Sequence, residues 1–119
     1  MGTRRILLVD DDEDIRLTLG AVLQAEGFEV VEARNGLHAL QQLMRKELPR
    51  AILLDMTMPV MTGFEFLDIQ KEDPRIRDIP VIAVTVHAKV ADLPGVARVV
   101  RKPFDLEDLL KVLREVLAR

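Results

Sequence analysis

Six side chains in this sequence combine reactive chemistry with suggestive spacing. Asp10, Asp11 and Asp12 come directly after the apolar run Ile6-Leu7-Leu8-Val9, and Asp55 comes directly after Ala51-Ile52-Leu53-Leu54. Thr85 closes Val81–Val84, and Lys102, followed by Pro103, stands just beyond Val96–Val100. Carboxylates gathered within a few ångströms oppose one another's ionisation. A hard divalent cation relieves that repulsion, and Mg²⁺ suits an all-oxygen donor set while keeping several of its waters. With no cysteine and only His38 and His87 as nitrogen donors, zinc is disfavoured. Residues 10–14 equally suit a solvated acidic loop feeding a helix N-terminus, where negative charge is favoured.

Asp55 sharpens the choice. An ionised Asp at the end of a buried strand is costly unless paired or metal-bound, and an Asp carboxylate can act as a nucleophile that accepts a phosphoryl group. That transfer needs positioning and charge neutralisation more than an acid or a base. Mg²⁺ would supply one positive charge and Lys102 a second, as a compact ammonium on a flexible stem. The Lys102-Pro103 bond adopts cis more readily than other peptides, which would turn the chain and hold the ammonium over a crevice. Thr85 offers a hydroxyl able to contact a phosphoryl oxygen. Singly, these residues read as a loop cap, a strand-to-helix turn and a good strand former; their joint occurrence carries the argument.

Such side chains work together only on a scaffold that gathers strand ends. Short apolar runs at Ile6–Val9, Val30–Val31, Ala51–Leu54, Val81–Val84 and Val96–Val100 alternate with segments of helical period. Most runs are solidly apolar, as parallel strands covered on both faces must be. The helical stripes are Ile15/Leu19/Val22/Leu23, Leu37/Leu40/Leu43/Met44, Phe64/Leu67 with Phe66 and Ile69, and Leu106/Leu109/Leu110/Leu113/Val116/Leu117. Asn35 and Asp105 are the predicted N-caps. The pattern predicts five βα units, (βα)5, around a parallel sheet, with one departure: 86–92 offers barely two turns before Pro94 and Gly95, so the fourth helix should be short, mobile or absent. In open parallel sheets ligands bind outside the carboxyl ends of the strands, where all six polar residues fall.

A chain of 119 residues supports one domain, here residues 1–119, with a substantial core. The absence of cysteine excludes a disulfide scaffold and a thiol nucleophile. A net charge of −3 with no Tyr or Trp gives no footprint for nucleic acid or an anionic membrane. Ile6–Val9 is too short for a signal-peptide core or a bilayer span, so a cytoplasmic location is expected.

The blocks Ile6-Leu7-Leu8-Val9-Asp10-Asp11-Asp12-Glu13-Asp14-Ile15-Arg16, Leu54-Asp55-Met56-Thr57-Met58-Pro59 with Gly63, Val84-Thr85 and Arg101-Lys102-Pro103-Phe104 resemble those of response regulator receiver domains of two-component systems. The resemblance spans essentially the whole chain. It implies a flavodoxin-like three-layer α/β sandwich with sheet order 2-1-3-4-5, and no enzymatic activity beyond self-catalysed phosphotransfer and dephosphorylation. It implies Asp55 as phosphoacceptor, Asp11 as direct Mg²⁺ ligand, Asp10 as a ligand through water, and the Thr57 backbone carbonyl completing the protein's share. Lys102 would contact the phosphoryl group and Thr85 would be the switch hydroxyl, leaving Asp12 and Glu13 as surplus solvated acids. The implied partners are a sensor histidine kinase or phosphotransfer protein, and an output protein or an output domain lying outside this chain. His38 and His87 read as surface residues, and Met56, Met58 and Met61 as loop packing.

The sequence departs from that pattern at three places. Val99 occupies the position where receivers place a Tyr or Phe in the last strand, and the interval from Thr85 to Lys102 is about five residues short. Val86 replaces a smaller residue beside Thr85, which would narrow access to a phosphoryl group. These departures keep open a phosphorylation-independent interaction module. An aspartyl-phosphate hydrolase is disfavoured because Thr57 stands where a second Asp is needed, and a flavin site because the acidic first loop would repel phosphate.

Overall fold

The computed structural model describes residues 4–86 and 95–118. In chain order they form β1 (Arg5–Val9), α1 (Glu13–Ala25), β2 (Glu29–Ala33), α2 (Gly36–Gln42), β3 (Ala51–Asp55), α3 (Gly63–Glu72), β4 (Val81–Thr85), β5 (Val96–Arg101) and α4 (Leu106–Leu117). Every strand pair is parallel and the sheet order is β2-β1-β3-β4-β5, the flavodoxin-like arrangement. The short fourth helix expected over 86–92 falls, beyond Val86, outside the described residues.

The solidly apolar strands are explained by burial on both faces. Leu7, Val9, Ile52 and Leu54 point into a layer shared with Ala39 and Leu43 from α2 and its end, and with Phe66 and Leu67 from α3. Ile6, Leu8, Ala51 and Leu53 point the opposite way, into a layer with Leu19 and Leu23 of α1 and Leu109 and Leu113 of α4. Alternation along a strand therefore sends neighbouring side chains to different cores. Each fully buried Leu or Ile contributes roughly 1.5–3 kcal/mol. The outer strands differ: β2 carries Glu29 and Glu32 and β5 carries Arg98 and Arg101 among half-buried valines.

Asn35 and Asp105 cap α2 and α4 as expected, their carboxamide and carboxylate oxygens accepting from the His38 and Glu107 amides. Asp12 requires a correction. It is no surplus acid: its carboxylate accepts from the amides of Asp14 at 2.9 Å and Ile15 at 3.2 Å, so it caps α1. Thr62 and Glu65 form a reciprocal capping box at the start of α3.

The stripe expected on α2 is also shorter than predicted, because the helix ends at Gln42 and leaves Met44 78% exposed. Arg75, from the segment after α3, donates to the carbonyls of Leu43 and Arg45 and holds this end in place. Leu37 on α2, and Phe64 and Ile69 on α3, also face outward.

The order in which strands are added reverses at β1, which is flanked by β2 on one side and β3 on the other. The crevice outside the carboxyl ends of β1 and β3 is thus the place where the sequence-derived acids should meet.

Candidate functional site

β1 delivers Asp10 to this crevice. The backbone continues the sheet for one more hydrogen bond, Asp10 N–H to the Ala33 carbonyl at 3.1 Å. The side chain is 3% exposed, and its Oδ1 accepts from the Asp12 amide at 2.9 Å, closing a local turn. Asp11 is exposed at the mouth of the crevice that it lines. Arg16, on the second turn of α1, fixes the same loop from outside. Its Nη1 donates to the Asp10 carbonyl at 2.7 Å, while its Nε lies 3.3 Å from Glu32. Arg16 closes the first of the receiver-like sequence blocks, but neither its type nor its spacing signals this role.

β3 delivers Asp55, 6% exposed, whose Oδ1 accepts from the Thr57 amide at 3.1 Å. The loop that follows is pinned at several points. Met56 and Met58 are buried beneath it, as expected of packing residues. Gly63 donates to the Met56 carbonyl at 3.2 Å, and a Cβ there would stand 2.7 Å from the Met56 Cα. Only glycine lets α3 start so close to the residue after Asp55. Between these anchors Val60 adopts φ of 69°, and the Met61 amide donates to the Pro59 carbonyl at 2.8 Å around it. A β-branched residue is strained in this turn.

β5 delivers Lys102, whose amide donates to the Thr85 carbonyl at 2.8 Å. The Lys102-Pro103 bond is cis. The ammonium lies between two carboxylates, 3.4 Å from Asp10 Oδ2 and 3.6 Å from Asp55 Oδ1. Thr85 ends β4 and is buried; the crevice wall beside it is Val86. Val99 pairs with Ala83 in the sheet and packs, half-buried, into the layer containing α2 and α3.

The resulting crevice, about 250 Å³, is lined by Asp10, Asp11, Asp12, Ile15, Asp55, Thr57, Val86 and Lys102. One carboxylate oxygen from each of Asp10, Asp11 and Asp55 lies within 4.8 Å of the others. Burial pushes the Asp55 carboxyl up to about 6, aided by the neighbouring Asp10 charge and by Asp11; the Thr57 amide and the Lys102 ammonium pull it the other way. One ammonium thus serves several acids. The donor set is hard, all oxygen and over-charged, which is what a divalent cation such as Mg²⁺ requires. Thr57 stands exposed at the rim of the same crevice. Asp10, Asp11, Asp55, Thr57 and Lys102 therefore meet in one place, whereas Thr85 is buried and is not among the residues lining the crevice.

A family model for the response regulator receiver domain matches residues 6–114. The chain belongs to that family. Among its relatives, this receiver domain is 35% identical to the sporulation initiation phosphotransferase F of Bacillus subtilis, covering 98% of this chain and 96% of that protein. The chemotaxis response regulator CheY4 of Vibrio cholerae superposes with a TM-score of 0.87 at 32% identity, over 96% of this receiver and 98% of that chain. The receiver domain of the sensor histidine kinase PA1611 of Pseudomonas aeruginosa, solved with a magnesium ion coordinated in its active-site cleft, gives a TM-score of 0.88 at 26% identity. It is covered completely and covers 99% of this receiver. Against longer transcriptional regulatory relatives, the receiver spans about half their length. Among the described residues, no helix is long and apolar enough to cross a membrane.

Proposed function

We propose that this receiver, acting as one unit over residues 1–119, takes a phosphoryl group onto Asp55 from a phosphohistidine of a sensor kinase or phosphotransfer protein. A carboxylate oxygen of Asp55 attacks phosphorus, the P–O bond forms as the P–N bond to imidazole breaks, and the departing ring nitrogen keeps its electron pair and takes a proton. Asp10, Asp11, Asp55 and the Thr57 carbonyl would hold Mg²⁺, with Asp11 the direct carboxylate ligand and Asp10 acting through water. The ion supplies electrophilic charge against the phosphoryl oxygens.

The single observation that carries this reading is the ammonium of Lys102 within 3.6 Å of carboxylates from both β1 and β3. That position lets it follow negative charge from carboxylate to phosphoryl oxygen. The Thr57 amide orients Asp55 by holding one oxygen and leaving the other for attack. Thr85 would then donate its hydroxyl to a phosphoryl oxygen, and the new dianion would bias the surface around β4 and β5 towards an output partner. With Val99 in the last strand, the movement of Thr85 must be transmitted without an inward-turning aromatic ring. The same valine is the observation that favours a phosphorylation-independent interaction module as the second reading. We place the protein in the cytoplasm, with no direct role in nucleic-acid binding.

The test is to incubate the protein with Mg²⁺ and a small phosphodonor and weigh it. A single phosphoryl adduct is expected, lost in Asp55→Asn and on chelation of Mg²⁺. No adduct, or one that survives Asp55→Asn, refutes the assignment and leaves the interaction module.

A further inference from the structure

The pole opposite the acidic crevice carries the reverse charge. A cavity of about 260 Å³ there is lined by Arg4, Arg50, Arg114, Leu117 and Ala118. In a chain of net charge −3, three arginines line one opening. We propose that this cavity is a binding site for a soluble phosphoanion of the diphosphate class, separate from the crevice at the strand carboxyl ends.

The local charges are not otherwise accounted for. Arg114 pairs with Glu26, and Arg4 stacks over the Phe28 ring at 4.2 Å. Among the described residues, Arg50 has no carboxylate partner and Arg4 has none either. The nearby acids Glu29 and Glu47 are held by Arg5, at 3.0 and 2.8 Å. Among the described residues, Arg114 is therefore the one of the three arginines with a carboxylate partner.

Capping of helix ends does not explain them. α1 and α4 both finish at this pole, where cations are favoured. Yet the last carbonyls of α1 already accept from the amides of Glu26, Gly27 and Phe28, and the Arg114 carbonyl accepts from Ala118. No guanidinium of the three donates to a helix carbonyl among the described residues. The Arg4 ring contact leaves its planar N–H edge available, and stacking pre-organises that edge.

A planar fork binds phosphate oxygens in pairs, with charge-assisted hydrogen bonds. With Arg114 engaged by Glu26, the forks of Arg4 and Arg50 remain, one for each of two linked phosphoryl groups. The floor of Leu117 and Ala118 adds an apolar contact beside the charge.

The experiment is titration of the full chain with inorganic pyrophosphate, followed by calorimetry and by amide chemical shifts. Orthophosphate and phosphatidylglycerol vesicles are run alongside. Saturable pyrophosphate binding, with shifts centred on residues 4, 26–28, 50 and 114–118 and weaker binding of orthophosphate, is expected. Arg50→Gln should weaken it roughly tenfold, the value of one charge-assisted contact; its backbone bond to the Arg5 carbonyl at 2.8 Å leaves the fold intact. Glu26→Gln, which frees Arg114, should tighten it several-fold, an effect that arginines serving only to complement helix dipoles would not produce. Arg77→Gln, elsewhere on the surface, should leave it unchanged. No saturable binding overturns the proposal, as does equal weakening by Arg50→Gln and Arg77→Gln. Vesicle binding lost in Arg50→Gln without a pyrophosphate response in solution assigns the pole to lipid headgroups and also overturns it.

Discussion

Replacing Asp55 by Asn should make the metal-free protein more stable at neutral pH. Asp55 ordinarily titrates near 3.8, but burial and its acidic neighbours hold it at about 6 in the fold. A carboxyl raised in this way binds its proton more tightly when folded than when unfolded. The contribution of Asp55 to metal-free stability is therefore greatest below pH 4, is lost as pH rises through 6, and is level above that. At ~1.4 kcal/mol per pH unit, the interval corresponds to a ceiling of roughly 3 kcal/mol. Screening by crevice water and sharing of the Lys102 ammonium reduce this to about 1–2 kcal/mol. Asn keeps an oxygen for the Thr57 amide, so little is lost in exchange. The assay is urea unfolding in a chelator at a series of pH values. The variant's advantage should grow from near zero at pH 4 to about 1–2 kcal/mol at pH 7, at roughly 4 °C in Tm for each kcal/mol. A variant no more stable than the parent at pH 7, or an advantage that does not vary with pH, would falsify the claim that Asp55 is held against its ionisation.

Mg²⁺ should reverse this order, stabilising the parent by ~2.7 kcal/mol at a hundred times its Kd; Asp11→Asn should weaken Mg²⁺ binding about tenfold or more by calorimetry, with stability in chelator unchanged or raised. Val60→Gly removes a β-branched side chain from positive φ. Relief of roughly 1–2 kcal/mol, less ~0.5–1 for glycine's extra unfolded-state freedom, leaves a net gain of about 0.5–1 kcal/mol in urea. Asp12→Ala should cost about 1 kcal/mol through the lost α1 cap, seen as a lower urea midpoint at unchanged slope. Gly63→Ala should cost roughly 1–3 kcal/mol, because its methyl group meets the backbone of Met56.

The chemistry of the site was legible because each of its residues follows an apolar strand, and strand ends in a parallel sheet converge. The three layers were legible for a related reason: runs such as Ala51–Leu54 have no polar face to show to water. Other features left no trace. In Asp10-Asp11-Asp12 composition cannot say which acid turns inward, which meets solvent and which caps the helix; local backbone turns decide. Val60 hides a positive φ that Gly or Asn would have announced. Met44 continues a helical stripe on paper, but Arg75, distant in sequence, takes the carbonyls where α2 ends. Nothing in the sequence marks Arg16 as the residue that donates to the Asp10 carbonyl.

The acidic and basic margins of the sheet also bear on self-association. β2 presents Glu29 and Glu32, and β5 presents Arg98 and Arg101, so two copies meeting margin to matching margin would bring like charges together. Pairing of either margin with its own kind in a second copy is thereby disfavoured.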